Sequence, residues 1–289
     1  MCIRDRKKTM QIAVMTTFVQ EYIFSGIIQE IENKMSRAGY GIQISITNNS
    51  VDKERFILKS ILDKKRVDGI IAEPTKSGLP NPNLDLYRQI MEQGIPVIFI
   101  NSYYPELKAP HVSLDDKIAG KMATKYLIQC GHKNVGYFHS SLDISNFSER
   151  ADGYYKALRA NGISTSHPYV HLVSPTSDEG YRDMLRLLES KAPIADAYFA
   201  DNDIIAAAAM RALRENGYRI PEDVSIIGFD DVPMCDMMVP PLSTMKVRKR
   251  ELGATAVQRL LDRVADPKRE CLKMCMATKL VKRQSVSRR

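Results

Sequence analysis

Asp201, Asn202 and Asp203 stand between the apolar AYFA and the run IIAAAAM, so two carboxylates and an amide sit at the seam between a strand-like and a helix-like segment. Buried without partners, each such group would cost roughly 2–7 kcal/mol. They therefore need a ligand, water or the task of capping a helix, and Asn202 or Asp203 could serve as an N-cap. The same seam recurs along the chain. Tyr22 and Phe24 follow the first apolar run, Glu73 and Lys76 follow VDGIIA, and Asn101 closes IPVIFIN. Asp115 and Asp116 lie in LDDKIAG, Arg150 and Asp152 in SERADG, Asp230 and Asp231 in IIGFDD. Carboxylates, amides, one Arg and one Lys, with aromatics among them, suit a sugar. Each hydroxyl both donates and accepts, so planar Asp, Asn and Arg groups can hold hydroxyl pairs, and rings cover the C–H face. Each residue also has a plainer reading: Glu73 paired with Lys76, Asp115 as a helix cap, Tyr22 in the core.

Other chemistries find less support. Neither GxGxxG nor GxxxxGK[ST] occurs, so a nucleotide lacks its phosphate loop. The five cysteines (Cys2, Cys130, Cys235, Cys271, Cys275) match no zinc or redox spacing and read as free thiols. His167 and His171 are four apart, but Pro168 between them spoils a helical metal pair. No nucleophile elbow is present. The expectation is a binding protein, not an enzyme, with no cofactor and no metal.

The elements that must position these residues are legible as a rhythm. QIAVMTTF, GIQISIT, VDGIIA, IPVIFIN, NVGYFHS, YVHLV, DAYFA and VSIIGFD are continuous apolar runs, as in parallel sheets covered on both faces. Amphipathic segments between them end at Gly39, Gly94, Gly131, Gly162 and Gly217, where glycine suits the turn past a helix end. After GFDD the rhythm breaks, and STMKV, a helix from Glu251 to Val264 and MATKLV return the chain to each half. In open α/β sheets ligands bind beyond the carboxyl ends of the strands, where the polar residues lie. A net charge of +8 lies largely in the tails and reads as solvated faces. No apolar run reaches the ~20 residues a membrane span needs, and the N-terminus lacks a cleavage site, so a cytoplasmic protein without membrane contact is expected.

RIPEDVSIIGFDD with PPLSTMKVRKRELG resembles the effector domain of the lactose/galactose-repressor family, as do VDGIIAEP, GIPVIFIN, LDDKIAGKMATKYLIQCGHKNVGYF and ERADGYYKALRANGI. The resemblance runs from about Gln11 to Gln284. TTFVQEYIF, TNNSVDKER and EPTKSGLPNPN look like the arabinose-responsive branch. It implies an α/β, periplasmic-binding-protein type I-like fold: two doubly wound parallel-sheet lobes joined by crossovers, with a ligand cleft between. Expected bounds are a tail over 1–10, a first lobe of 11–131 plus 246–273, and a second of 132–245 plus 274–289. It implies that Arg150 grips sugar hydroxyls, that Asn202 and Asp230 are further hydroxyl ligands, that Asp116 contributes from the first lobe, and that Tyr22 and Lys76 add contacts. Asp201 stands where the arabinose-responsive relative has an aromatic, and Val247 where that relative has a polar ring. The implied function is a sugar-sensing repressor domain for an arabinose-like monosaccharide, acting as a homodimer by lobe closure; a transport-type sugar-binding protein is the alternative. The ten residues before the first strand are too few for a DNA-binding head, so operator DNA would be met only through a head outside this chain.

Overall fold

The computed structural model describes residues 8–18, 22–166 and 168–289, and of Tyr22 only the backbone. Expectations for the N-terminal tail and for His167 fall outside these residues. The chain divides into two compact units. The first runs to Leu114 through β1 (Gln11–Thr16), α1 (Tyr22–Arg37), β2 (Gly41–Ile46), α2 (Val51–Lys64), β3 (Gly69–Ala72), α3 (Leu84–Glu92), β4 (Val97–Asn101) and β5 (His111–Leu114). The second holds α4 (Asp116–Gln129), β6 (Val135–Ser140), α5 (Ser145–Ala160), β7 (Val170–Val173), α6 (Ser177–Glu189), β8 (Ala197–Ala200), α7 (Asp203–Glu215), β9 (Ser225–Asp230), α8 (Met234–Met237) and β10 (Ser243–Lys246). The chain then returns to the first unit for α9 (Lys249–Ala265) and β11 (Lys273–Met276) and ends in the second with β12 (Lys279–Val281).

The sheets have matching orders, β2-β1-β3-β4-β5-β11 and β7-β6-β8-β9-β10-β12. Every pairing is parallel except that of β12 with β10. Central strands are covered on both faces: every residue of β3, β4, β8 and β9 is buried. That is why they read as unbroken apolar runs rather than alternating ones. The edge strand β2 instead leaves Ile44 and Ile46 exposed. Around β3 and β4 the first unit packs Phe99 edge-on to Tyr87 and Tyr104, with the two tyrosine rings tilted against each other. The second stacks Phe138 on Tyr198 and Tyr137 on Phe199. In each sheet the chain reverses its winding beside the first strand, between β1 and β3 and between β6 and β8. The crevice beyond the strand ends at such a point is where ligands settle.

Three details depart from the sequence reading. HVSL forms the short strand β5, which was not foreseen. MATKLV is not one strand; Met276 ends β11 in one sheet and Lys279 opens β12 in the other. The first division falls after Leu114, not Gly131, and the later ones after Val247 and Met276. The cause lies in α4, which packs along α5. A Cβ at Gly120 would overlap the Arg150 carbonyl, and one at Gly153 the Lys117 carbonyl. Only two glycines let these backbones touch, and that contact ties α4, with Asp115 and Asp116, to the second unit.

Candidate functional site

In the second unit the strand ends gather around Arg150. Its position on α5, opposite the close approach of Gly120, carries the side chain inward, where it is 4% exposed. Its Nε donates to Asp116 Oδ1 at 2.7 Å, and an Nη donates to the Asp201 carbonyl. The guanidinium lies 3.5 Å from the centre of the Phe229 ring, a cation–π contact worth ~1–2 kcal/mol when desolvated. Asn146, one helical turn before Arg150, donates to the other Asp116 oxygen at 2.6 Å. Burial pushes the Asp116 carboxyl above its ordinary pKa, and Arg150 opposes the shift. Burial likewise raises Glu149, helped by Asp116 and Asp115.

Asn202 is the N-cap of α7, its Oδ1 accepting from Ile205 N at 2.8 Å. Its amide nitrogen is uncommitted among the described residues. Asp230 ends β9 with φ of 112° and is 8% exposed, close enough to Arg150 to favour its charge. A left-handed backbone at a non-glycine residue costs about 1–3 kcal/mol and marks a position held there by its surroundings. Arg150, Asp116, Asn202 and Asp230 are thus brought to the carboxyl ends of one sheet. Asp116 serves from the second unit, not the first, because α4 belongs there.

Asp201 has a different task from the one expected. It is fully buried, and its carboxylate accepts from Tyr137 OH, from Ser140 N at 2.7 Å and makes a 2.7 Å contact with His139 Nδ1. It ties β6 to β8, with both oxygens engaged and the residue shut off from solvent. Asp203 is also internal, accepting from Thr244 Oγ1 at 2.6 Å and from Val232 N at 3.0 Å. Asp231 is held by Arg283 and Lys246, which pull its carboxyl below the ordinary value against the cost of burial. Asp152 lies about 200° round α5 from Arg150; it is exposed and pairs with Lys117 at 2.6 Å, away from the cluster. Asp115 caps α4, accepting from Ile118 N at 3.1 Å.

The first unit gathers its own polar strand ends. Glu73, after β3, accepts from Thr17 N at 2.7 Å, from Thr17 Oγ1 at 2.6 Å and from Asn101 Nδ2 at 3.2 Å. Asn101 has φ of 69° and Lys76 φ of 45°, so both share the unusual backbone of Asp230. Lys76 N donates to Asn49 Oδ1 at 2.7 Å and its side chain is exposed, so it does not pair with Glu73. Phe24 is 4% exposed and belongs to the core, where its ring has no open face for a sugar. The Tyr22 contact lies outside the described side chains. Sequence reasoning missed Glu54, fully buried on α2, whose carboxylate accepts from Asn81, Asn83, Tyr87 and Tyr104 at 2.8–2.9 Å. It also missed His139, Tyr137 and Asn146; the polar HS that closes the β6 run was the available signal for the first.

Polar residues at the strand ends of twin parallel sheets are the arrangement of a ligand-binding α/β domain. Residues 124–286 match the periplasmic binding protein-like domain. An arabinose metabolism transcriptional repressor of Halalkalibacterium halodurans is 32% identical over 90% of this chain and 69% of its own. The transcriptional repressor PurR of Pasteurella multocida is 32% identical over 97% of this chain and 82% of its own. A LacI-family transcriptional regulator from Enterococcus faecium, solved with bound ribose, superposes with a TM-score of 0.83 at 26% identity, covering 96% of this chain and 99% of that one. The chain belongs to the periplasmic binding protein-like family, as the effector domain of a lactose/galactose-repressor-type transcriptional regulator. Its relatives are repressors, not enzymes.

Proposed function

We propose that this domain senses a neutral monosaccharide, an arabinose-like pentose, and through it controls a repressor. The observation that supports this most is the charge arrangement around Arg150. One guanidinium stands among Asp116, Asp201 and Asp230. With its charge already balanced, it offers N–H groups without a net attraction for anions, which suits hydroxyls better than a phosphate or a sugar acid. Asn202 and Asp230 add a donor and an acceptor. The arabinose metabolism repressor among the relatives favours a pentose, and so does the ribose in the Enterococcus structure. That sugar binding alters the affinity of the repressor for DNA is part of the same proposal. A ligand shifts such an equilibrium only by its difference in affinity for the two states. The repressor relatives favour this reading over a transport protein.

Dimerisation belongs to the proposal too. An open groove of about 620 Å³ beside α6, α7 and α8 is lined by Tyr181, Met210, Met234, Met238 and Val239. Val239 in the groove and Met237 beside it on α8 are 70% and 75% exposed, and apolar groups so presented favour a partner surface.

Thermal melting with a panel of pentoses, hexoses and their phosphates tests the ligand class. A sugar at 100 times its Kd raises stability by about 2.7 kcal/mol. Stabilisation by a neutral pentose and none by its phosphate supports the proposal; stabilisation by phosphates alone contradicts it.

A further inference from the structure

We infer that His139 is an additional specificity-determining contact, reading one hydroxyl of the ligand as an acceptor, with Asp201 as its positioning residue. The inference rests on the sugar-sensing reading above. β6 and β8 flank the point where the second sheet reverses its winding, and His139 and Asp201 stand at their carboxyl ends, beyond the paired Phe138 and Ala200. Asp201 N continues the ladder to the Phe138 carbonyl at 3.0 Å.

Asp201 is fully buried, yet it is tied to the surface through one side chain. Its carboxylate meets Tyr137 and Ser140, both buried, and His139, whose side chain keeps 24% of its surface. The carbonyl of the same residue accepts from Arg150. One residue therefore orients both the guanidinium and the imidazole. A carboxylate at His139 Nδ1 fixes the proton on that nitrogen, which leaves Nε2 as an acceptor. Nε2 makes no hydrogen bond among the described residues. Tyr137 stacks on the imidazole with centroids 5.2 Å apart, limiting its tilt. Arg150 and Asn202 offer donors and Asp230 an acceptor, and every further hydroxyl of the ligand must also donate. His139 supplies an acceptor without adding a negative charge to a cluster already rich in carboxylates.

The test pairs a ring-preserving variant with deoxy sugars. His139→Phe keeps the stack on Tyr137 and removes the acceptor. Calorimetry would compare the preferred pentose with each of its monodeoxy forms, for wild type and variant. The wild type should lose about tenfold in affinity at one position, the size of one neutral hydrogen bond, and His139→Phe should lose nothing further there. Nitrogen-15 NMR of the wild type at neutral pH should show a protonated Nδ1 and a bare Nε2 whose resonance moves on sugar addition. Equal deoxy-sugar losses in both proteins, or an Nε2 that carries a proton or ignores the sugar, overturn the inference while leaving the sugar-sensing reading intact. No binding of any neutral sugar by the wild type overturns both.

Discussion

Asp116 and Arg150 are a buried charge pair, and each residue depends on the other. Truncating Asp116 to Ala removes a carboxylate hydrogen-bonded to the guanidinium and leaves that group covered beside Asp230 and Asp201, a loss of about 1–3 kcal/mol that chemical denaturation would register. Arg150→Ala should leave a mirror-image defect. Asp203→Ala removes the acceptor of Thr244 and Val232 and should cost ~1–3 kcal/mol with little effect on ligand affinity, in contrast to Asn202. A second test at this scale uses pH. His132 is 2% exposed, with Nε2 3.1 Å from the Ser287 carbonyl, and burial holds its pKa below the ordinary value against the pull of Asp196. The unfolded chain takes up this proton near pH ~6.5, the folded chain only at lower pH. Below that point the unfolded state binds more protons, so stability falls as pH drops. Melting temperatures from pH 7.5 to 5 should fall more steeply for the wild type than for His132→Asn; parallel curves would contradict the assignment.

At the scale of elements, the α4–α5 contact decides which residues reach the site. Gly120→Ala forces the helices apart against the Arg150 backbone, which should cost about 1–3 kcal/mol and weaken ligand binding as well, because Asp116 and Arg150 move with the two helices. A variant destabilised but unchanged in affinity would show that the contact serves folding alone. The glycine that ends α4, Gly131, has φ of 96°, and a Cβ there would press on the terminal Arg289. Helix ends of this kind were visible in sequence because they depend on one residue's backbone freedom. The central strands were visible because burial on both faces leaves only apolar residues. β5 was not, since four residues beside Pro110 carry too little pattern. The split of MATKLV was hidden because nothing local states which sheet a strand joins. Arg150, Asp116, Asn202 and Asp230 lie at seams that the sequence shows, but so do Asp201 and Asp231, and it is the family resemblance that singles out the four. Asp152 was misplaced because two residues along a helix means the opposite face. His139 and Glu54 were missed because their tasks come from partners distant in sequence: Asp201 lies 62 residues from His139, and Tyr104 lies 50 from Glu54.

At the scale of the molecule, two units of like topology share one chain that crosses between them three times. Neither unit is a continuous segment, so each needs the later crossings to complete its sheet, with β11 added to β5 and β12 to β10. Among the described residues no helix is long and apolar enough to cross a membrane. The exposed Met237 and Val239 beside the α6–α8 groove should be covered in a dimer. Val239→Asp would place a charge in that surface, and sedimentation velocity should show a shift from dimer to monomer at micromolar concentration; an unchanged dimer would place the interface elsewhere.

Arg150, balanced by buried carboxylates, is the residue proposed to hold a neutral sugar. Titration calorimetry of L-arabinose and a pentose panel into the wild type and Arg150→Ala is the decisive measurement. A saturable isotherm for a pentose with the wild type, weakened at least a hundredfold in Arg150→Ala while that variant still melts cooperatively, is the predicted result. Equal affinity in the two folded proteins would contradict it.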